Sequence, residues 1–189
     1  NRKGAVVAID LDAGGINVLY SSPAYSINKL SNGMNEDEFQ TLIDDPNKPF
    51  FNRALQGRYP PASTIKPAIG MYGLSNNIVN WDFEMKDPGF FTLPETGRIF
   101  RGWLEGGHGK VNMHKAFLVS SNTYFLSLAY QANISELSSH LSNLGFGQKA
   151  CLDCYDEDQA FVPTPEWKYS MMNAGWVKGD TVNLGIGQG

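Results

Sequence analysis

Ser63 and Lys66 lie three residues apart, a spacing that puts two side chains on one face of a helix. A serine hydroxyl is a weak nucleophile until a base removes its proton. A lysine amine serves as that base when burial or nearby positive charge favours its neutral form. If a helix begins at Ser63, backbone N–H groups and the positive end of the helix dipole face the developing negative charge. The pair is therefore a physically sensible acyl-transfer unit. By spacing alone it reads more readily as a helix-capping serine followed by a solvated lysine, so the surrounding residues must decide. A second polar triplet, Ser120-Ser121-Asn122, interrupts a helical stretch, and on its own it is no more than a break capped by hydroxyls.

Other reactive residue types are sparse. Cys151 and Cys154 are the two cysteines, and their spacing allows a redox pair, half a zinc site or a local disulfide. A structural zinc needs about four ligands, and no second such pair exists. A surface loop with a reduced or disulfide-linked pair is the plainer reading. Glu36, Asp37 and Glu38 look like a helix start rather than a catalytic carboxylate pair. Trp81, Trp103, Trp167 and Trp176 fall in separate loop-rich segments, where packing is a better use than a carbohydrate platform.

The elements that must position the polar residues follow from periodicity and turn chemistry. Residues 5–9 are apolar and β-branched, 16–20 alternate, and Asp10-Leu11-Asp12-Ala13-Gly14-Gly15 between them is a turn, which predicts an N-terminal hairpin. Residues 21–34 read as a loop. Asn35 caps a short helix, with Glu38 at the capping-box position, and Asp44-Asp45-Pro46 ends it. Pro60-Pro61 enforces an extended approach to Ser63. Residues 64–74 read as a helix started by Ser63, with Pro67 in its tolerant first turn. Residues 75–110 are Gly- and aromatic-rich and predict loops with a small hairpin. Asn112 caps a helix over 113–119, helices follow over 123–131 and 134–144, and Gly145 closes the last. After Gly147 regular periodicity is lost until Val182-Asn183-Leu184. The chain is thus α+β and helix-dominated.

Composition bounds the rest. Of 189 residues, 42% are hydrophobic and 18% charged, which supports a packed core and argues against disorder. The net charge of −4, with no long Lys/Arg cluster, disfavours a nucleic-acid partner. No apolar run reaches the roughly 20 residues that cross a bilayer. Both ends are abrupt, and the expectation is an excised piece of a larger protein.

Residues 52–67, Asn-Arg-Ala-Leu-Gln-Gly-Arg-Tyr-Pro-Pro-Ala-Ser-Thr-Ile-Lys-Pro, resemble the nucleophile segment of class B penicillin-binding proteins, down to the paired prolines before Ser63 and the proline after Lys66. That family carries three motifs, Ser-x-x-Lys, Ser-x-Asn and Lys-Ser/Thr-Gly. Ser120-Ser121-Asn122, inside Leu118–Phe125, meets the second in order and distance. Gly107-His108-Gly109-Lys110-Val111, Leu144-Gly145-Phe146-Gly147 and residues 179–189 are similar too. Asp87-Pro88-Gly89-Phe90-Phe91 makes the chain most similar to the penicillin-binding protein 2 branch of elongation transpeptidases. The resemblance implies a partial penicillin-binding-protein/β-lactamase-like transpeptidase fold, with residues 1–189 the N-terminal part of one transpeptidase domain and the remaining sheet strands absent. It also implies roles. Ser63 attacks the penultimate D-alanine carbonyl of a peptidoglycan stem peptide, and Lys66 takes its proton. Ser120 bridges Lys66 to the departing amine, Asn122 binds the acyl part of the substrate, and β-lactams acylate Ser63. It further implies a periplasmic domain anchored in the bacterial inner membrane, a membrane glycan polymerase as partner, and no cofactor.

The third motif is missing, since Lys178-Gly179-Asp180 has the wrong order and place. The expectation is therefore a half-built site with little activity in isolation. Some relatives of this branch carry zinc near the second motif on acidic, His and Cys ligands. Asp87 and His108 could belong to such a set, with Gly102 and Phe117 at the places where further ligands would be sought. Two candidates do not close a shell, so no metal is expected, and His108 reads as a hydrogen-bonded loop residue. A related D,D-carboxypeptidase or β-lactamase, and a non-catalytic penicillin sensor, are the competing functions.

Overall fold

Asp10 starts the first turn by accepting backbone N–H bonds from Asp12 and Ala13 on Oδ1 at 2.9 and 3.2 Å. That turn joins β1 (Gly4–Ile9) to β2 (Ile16–Ser22) as an antiparallel ribbon, with Val6 opposite Tyr20 and Val7 opposite Leu19. The structure, a computed structural model, describes residues 2–188. Val6, Val7, Val18, Leu19 and Tyr20 are all exposed, so both faces of the ribbon are uncovered among the described residues. The predicted hairpin and Asn35 cap are both present. Asn35 Oδ1 accepts from Glu38 N–H at 2.8 Å and opens α2 (Glu36–Asp44). The segment read as a loop holds one short helix, α1 (Ile27–Ser31), capped by Ser26.

Contacts divide the chain into two compact units. The first unites residues 2–58 with 149–159. Here Arg58 grips Asp158 through two bonds of 2.7 and 2.8 Å, and Cys151 is disulfide-bonded to Cys154. The disulfide spends both thiols, leaving no half zinc site on them.

The second unit, residues 59–148 with 160–188, carries the main core. It contains α3 (Lys66–Ser75), α4 (Met113–Leu118), α5 (Asn122–Gln131), α6 (Ile134–Asn143), α7 (Pro165–Met172) and α8 (Lys178–Leu184). Ile69 and Tyr72 of α3, Phe125 and Leu126 of α5, Leu137 of α6 and Val182 of α8 are almost wholly buried. At about 25 cal/mol per Å² of apolar surface, such burial dominates the stability of the unit. Gly73 lets α3 and α5 touch: a Cβ there would stand 2.6 Å from Leu128 Cδ1.

Three expectations need correction. Residues 62–65 form a tight 3-10 turn and α3 proper starts at Lys66, so Ser63 does not cap an α-helix. The reason is Ala62, whose φ of 49° breaks the approach one residue before Ser63. The stretch 75–110 contains two short pairs rather than one hairpin. In them β3 (Met85–Asp87) pairs with β6 (Gly109–Val111), and β4 (Phe90–Thr92) with β5 (Ile99–Arg101). Beyond Gly147 two helices exist. Thr164 caps α7 with Pro165 in its first turn, and Trp167 lies on that helix, stacked on Phe161 at 4.3 Å.

The β3–β6 region is held by backbone crossing backbone. Gly107, at φ 71°, packs so closely that a Cβ would collide with main-chain atoms of Asp87, Pro88 and Gly89. Neighbouring Gly106, at φ 80°, faces open space. Gly107→Ala should therefore lower stability by about 3 kcal/mol or more. Gly106→Ala should cost only about 1–2 kcal/mol, the strain of a left-handed residue. Denaturant titration of the two variants checks the contrast.

Candidate active site

Asn112 caps α4 by accepting from Lys115 N–H at 3.0 Å, and the other end of that helix shapes the second motif. Ser120 N–H bonds to Phe117 C=O at 3.1 Å, and Ser121 N–H to Ala116 C=O at 2.9 Å. These are the two bonds of a Schellman stop, whose left-handed position usually takes glycine. Here that position is Ser120, at φ 51°. The chain spends backbone strain to place a hydroxyl and a carbonyl at this point. Ser121 then caps α5, accepting from Tyr124 N–H at 3.2 Å, and Asn122 opens the helix.

Lys66, the first residue of α3, meets this corner. Its Nζ donates to Ser120 C=O at 2.9 Å, Ser120 Oγ at 3.0 Å and Asn122 Oδ1 at 2.7 Å. Those bonds use all three ammonium protons. Ser120 Oγ in turn lies 3.2 Å from Ser63 Oγ. The hydrogen-bonded path between Ser63 and Lys66 thus runs through Ser120. Ser63 is exposed, whereas Lys66 is 2% exposed. Burial lowers the lysine pKa to about 8 from 10.5. The Phe125 ring, 5.5 Å below Nζ, favours the charged form but is outweighed. Between pH 8 and 10.5 the unfolded chain binds more protons here, so this group makes stability rise with pH across that window.

The turn bearing Ser63 is braced from α8. Ala62 N–H donates to Gly187 C=O at 3.0 Å, and Gly187 lies so close that a Cβ would strike the Ala62 main chain. Two non-glycine residues at positive φ, the Ala62 that precedes Ser63 and Ser120 itself, therefore set the backbone at the two hydroxyls.

Ser63, Lys66, Ser120 and Asn122 are all brought together. Behind them Asp87 and His108, paired in the sequence reading, do meet, with His108 hydrogen-bonded as expected; what sequence reasoning missed is their link to Ser121. Asp87, 2% exposed, accepts from Ser121 Oγ at 2.6 Å, from Gly89 N–H at 2.8 Å, and contacts His108 Nδ1 at 2.9 Å. Burial alone would raise its pKa, but the bonds from Ser121, His108 and Gly89 hold it below the usual carboxylate value. Gly102 and Phe117, at the places where further ligands would be sought, offer no side-chain ligand atom. Gly102 donates its N–H to Gly89 C=O at 2.7 Å, and Phe117 packs on Phe125 with ring centroids 5.2 Å apart. His140 is a helix position, with Nε2 3.1 Å from Ala68 C=O.

Residues 4–189 match the family profile of the penicillin binding protein transpeptidase domain, and the chain belongs to that family. It is 45% identical over 188 residues to the peptidoglycan D,D-transpeptidase MrdA of Acinetobacter baumannii, covering 100% of this chain and 28% of that protein. The fold superposes on Pseudomonas aeruginosa PBP2, solved in complex with WCK 5153, with a TM-score of 0.95 at 38% identity, covering 100% of this chain and 41% of that one. It also superposes on the Helicobacter pylori PBP2 of a complex with MreC, with a TM-score of 0.93 at 34% identity, covering 99% and 35%. The chain thus spans less than a third of the length of the curated relative.

Ser120→Gly and Ser120→Ala both delete the hydroxyl but differ in backbone freedom. The glycine variant should be the more stable by about 1 kcal/mol, as expected for relief of a left-handed residue. Paired chemical denaturation measures the difference, and equal stabilities would show that φ carries no cost here.

Proposed function

We propose that the protein containing this chain is a serine D,D-transpeptidase that cross-links peptidoglycan and is acylated by β-lactams. The continuous path from Ser63 Oγ through Ser120 Oγ to Lys66 Nζ is the observation that carries this reading. In it, Ser63 Oγ attacks the penultimate D-alanine carbonyl while its proton moves to Ser120 and on to neutral Lys66. Collapse of the tetrahedral intermediate breaks the peptide bond, and the proton returns through Ser120 to the departing D-alanine nitrogen. A second stem peptide's amine then displaces Ser63 and forms the cross-link. Asn122 holds Lys66 through Oδ1, leaving its amide N–H₂ for the acyl part of the substrate.

The Ser63 backbone N–H is one oxyanion donor in this scheme, and a Lys-Ser/Thr-Gly strand elsewhere in the protein supplies the other. The uncovered apolar faces of β1 and β2 support the view that this ribbon belongs to a larger sheet and that the chain is part of one transpeptidase domain. A periplasmic site on a membrane-anchored protein fits the substrate. No helix among the described residues is long and apolar enough to cross a membrane, so the anchor is sought elsewhere in the protein. The Helicobacter pylori PBP2 solved with MreC supports a protein partner of that kind, and a membrane glycan polymerase is proposed beside it.

The test is acylation of the full-length protein by a fluorescent penicillin, with the labelled peptide found by mass spectrometry. Label should sit on Ser63, and Ser63→Ala should abolish it. Lys66→Met should slow acylation by about 100-fold or more, the range of a lost general base. With a lysine pKa of about 8, the neutral fraction and hence the rate should rise about tenfold from pH 7 to pH 9. A flat profile over that range, or full labelling of Ser63→Ala, overturns the assignment. Rapid turnover of a chromogenic cephalosporin would favour a β-lactamase instead.

A further inference from the structure

Ser121, the middle residue of the second motif, is fully buried, although the proposed reaction gives it no task. Its hydroxyl is committed twice. It accepts from Tyr124 N–H to cap α5, and it donates to Asp87 Oδ2 at 2.6 Å. The same carboxylate oxygen lies 2.9 Å from His108 Nδ1, and Oδ1 accepts from Gly89 N–H. On the other side of Ser120, Trp103 Nε1 donates to Val119 C=O at 3.0 Å, and Trp103 stacks at a tilt on His108 with centroids 5.3 Å apart. The strained Ser120 is therefore pinned on both flanks by groups from the 85–110 region.

A zinc ion on Asp87 and His108, raised by the sequence resemblance, does not fit these residues. His108 Nε2 is buried without a hydrogen-bond partner, the one unpartnered nitrogen or carboxylate oxygen of the Asp87–His108 pair among the described residues. Yet Asp87 and His108 are the only ionisable ligands of the cluster. Gly102 and Phe117 offer no donor atom, and the Ser121 hydroxyl is already spent on Asp87. One imidazole and one carboxylate do not make a tetrahedral shell of nitrogen and sulfur ligands.

We infer that Asp87 is a positioning residue for acyl transfer, holding the second motif by a direct hydrogen bond to Ser121 with no metal ion. The inference rests on the transpeptidase reading and extends it. Without this bond the corner at Ser120 relaxes toward negative φ, and its hydroxyl and carbonyl leave Lys66. A misplacement of about 1 Å at such a relay costs about 100-fold in rate.

Full-length wild type, Asp87→Ala, Asp87→Asn and Ser121→Ala, with the double variant Asp87→Ala/Ser121→Ala, are compared by stopped-flow acylation. This separates the rate of the covalent step from the initial affinity for penicillin. Folded fraction is followed by circular dichroism, and bound zinc by elemental analysis before and after a chelator. In Asp87→Ala and Ser121→Ala the covalent step should fall about 100-fold, with initial affinity changed less than about threefold. The double variant should be no slower than either, because the two groups act as one unit. Asp87→Asn keeps an acceptor oxygen and should recover most of the rate, and it serves with Ser121→Ala if Asp87→Ala fails to fold. Wild type should keep its rate in chelator. Folded variants that acylate at the wild-type rate, additive losses, or a stoichiometric zinc whose removal slows wild type would each overturn the inference. Wild type that no penicillin labels at Ser63 would overturn the transpeptidase reading as well.

Discussion

Everything at this site depends on keeping an amine out of water without giving it a counter-charge. The three acceptors around Lys66 Nζ are a carbonyl, a hydroxyl and an amide oxygen, all neutral. A carboxylate in that shell would have lowered the cost of burial but kept the lysine charged and unable to accept a proton. Neutral acceptors satisfy the N–H groups and leave desolvation free to depress the pKa. The packed core bears the cost, since Lys66 is 2% exposed and the buried Phe125 ring lies 5.5 Å from its Nζ.

Strain is the second constraint, and it is placed with economy. Left-handed backbone costs about 1–2 kcal/mol at a non-glycine residue; besides Lys48, Asn77 and Asn173 elsewhere, it occurs at Ala62 and Ser120, at the two hydroxyls of the candidate site. Each is over-determined by a contact from outside its own loop. Ala62 is tied to Gly187 beyond α8, while Ser120 is bounded by Trp103 at Val119 and by Asp87 at Ser121. Neither corner can relax without breaking a hydrogen bond that belongs to another element. The hydroxyls of Ser63 and Ser120 are thus brought to 3.2 Å by the fold rather than by their own rotamers.

What the sequence revealed was what local chemistry decides. Asn35 and Asn112 announced their helices because a capping side chain and its N–H partner are three residues apart. Ser63, Lys66, Ser120 and Asn122 were legible through the resemblance, and geometry then joined them. The 3-10 turn at Ser63 was not legible, because the left-handed Ala62 that sets it is held by Gly187, distant in sequence and close in space. The link from Asp87 to Ser121 spans 34 residues and was hidden for the same reason. The helix α7 carried a readable signal in Thr164-Pro165 that periodicity alone passed over. The start of α8 was obscure because Val177 cannot cap. Instead Asp180 reaches back to Val177 N–H at 2.8 Å and also pairs with Lys168 at 2.6 Å.

The position of Lys66 within its own helix adds a force that burial alone does not supply. As the first residue of α3 it sits at the positive end of that helix, and its Nζ is bonded to the first residue of α5, the positive end of another. Two helix N-termini therefore converge on one amine, and each disfavours an added positive charge. In the proposed reaction the same two termini favour the negative charge that develops on the substrate oxygen. One arrangement of backbone dipoles thus serves both halves of the proposed acyl transfer, keeping the proposed base neutral before attack and stabilising the oxyanion after it. A lysine placed mid-helix with equal burial would gain only the first of these effects in part and none of the second. That is a physical reason for the proposed base, Lys66, to follow the proposed nucleophile, Ser63, by a single turn at a helix start.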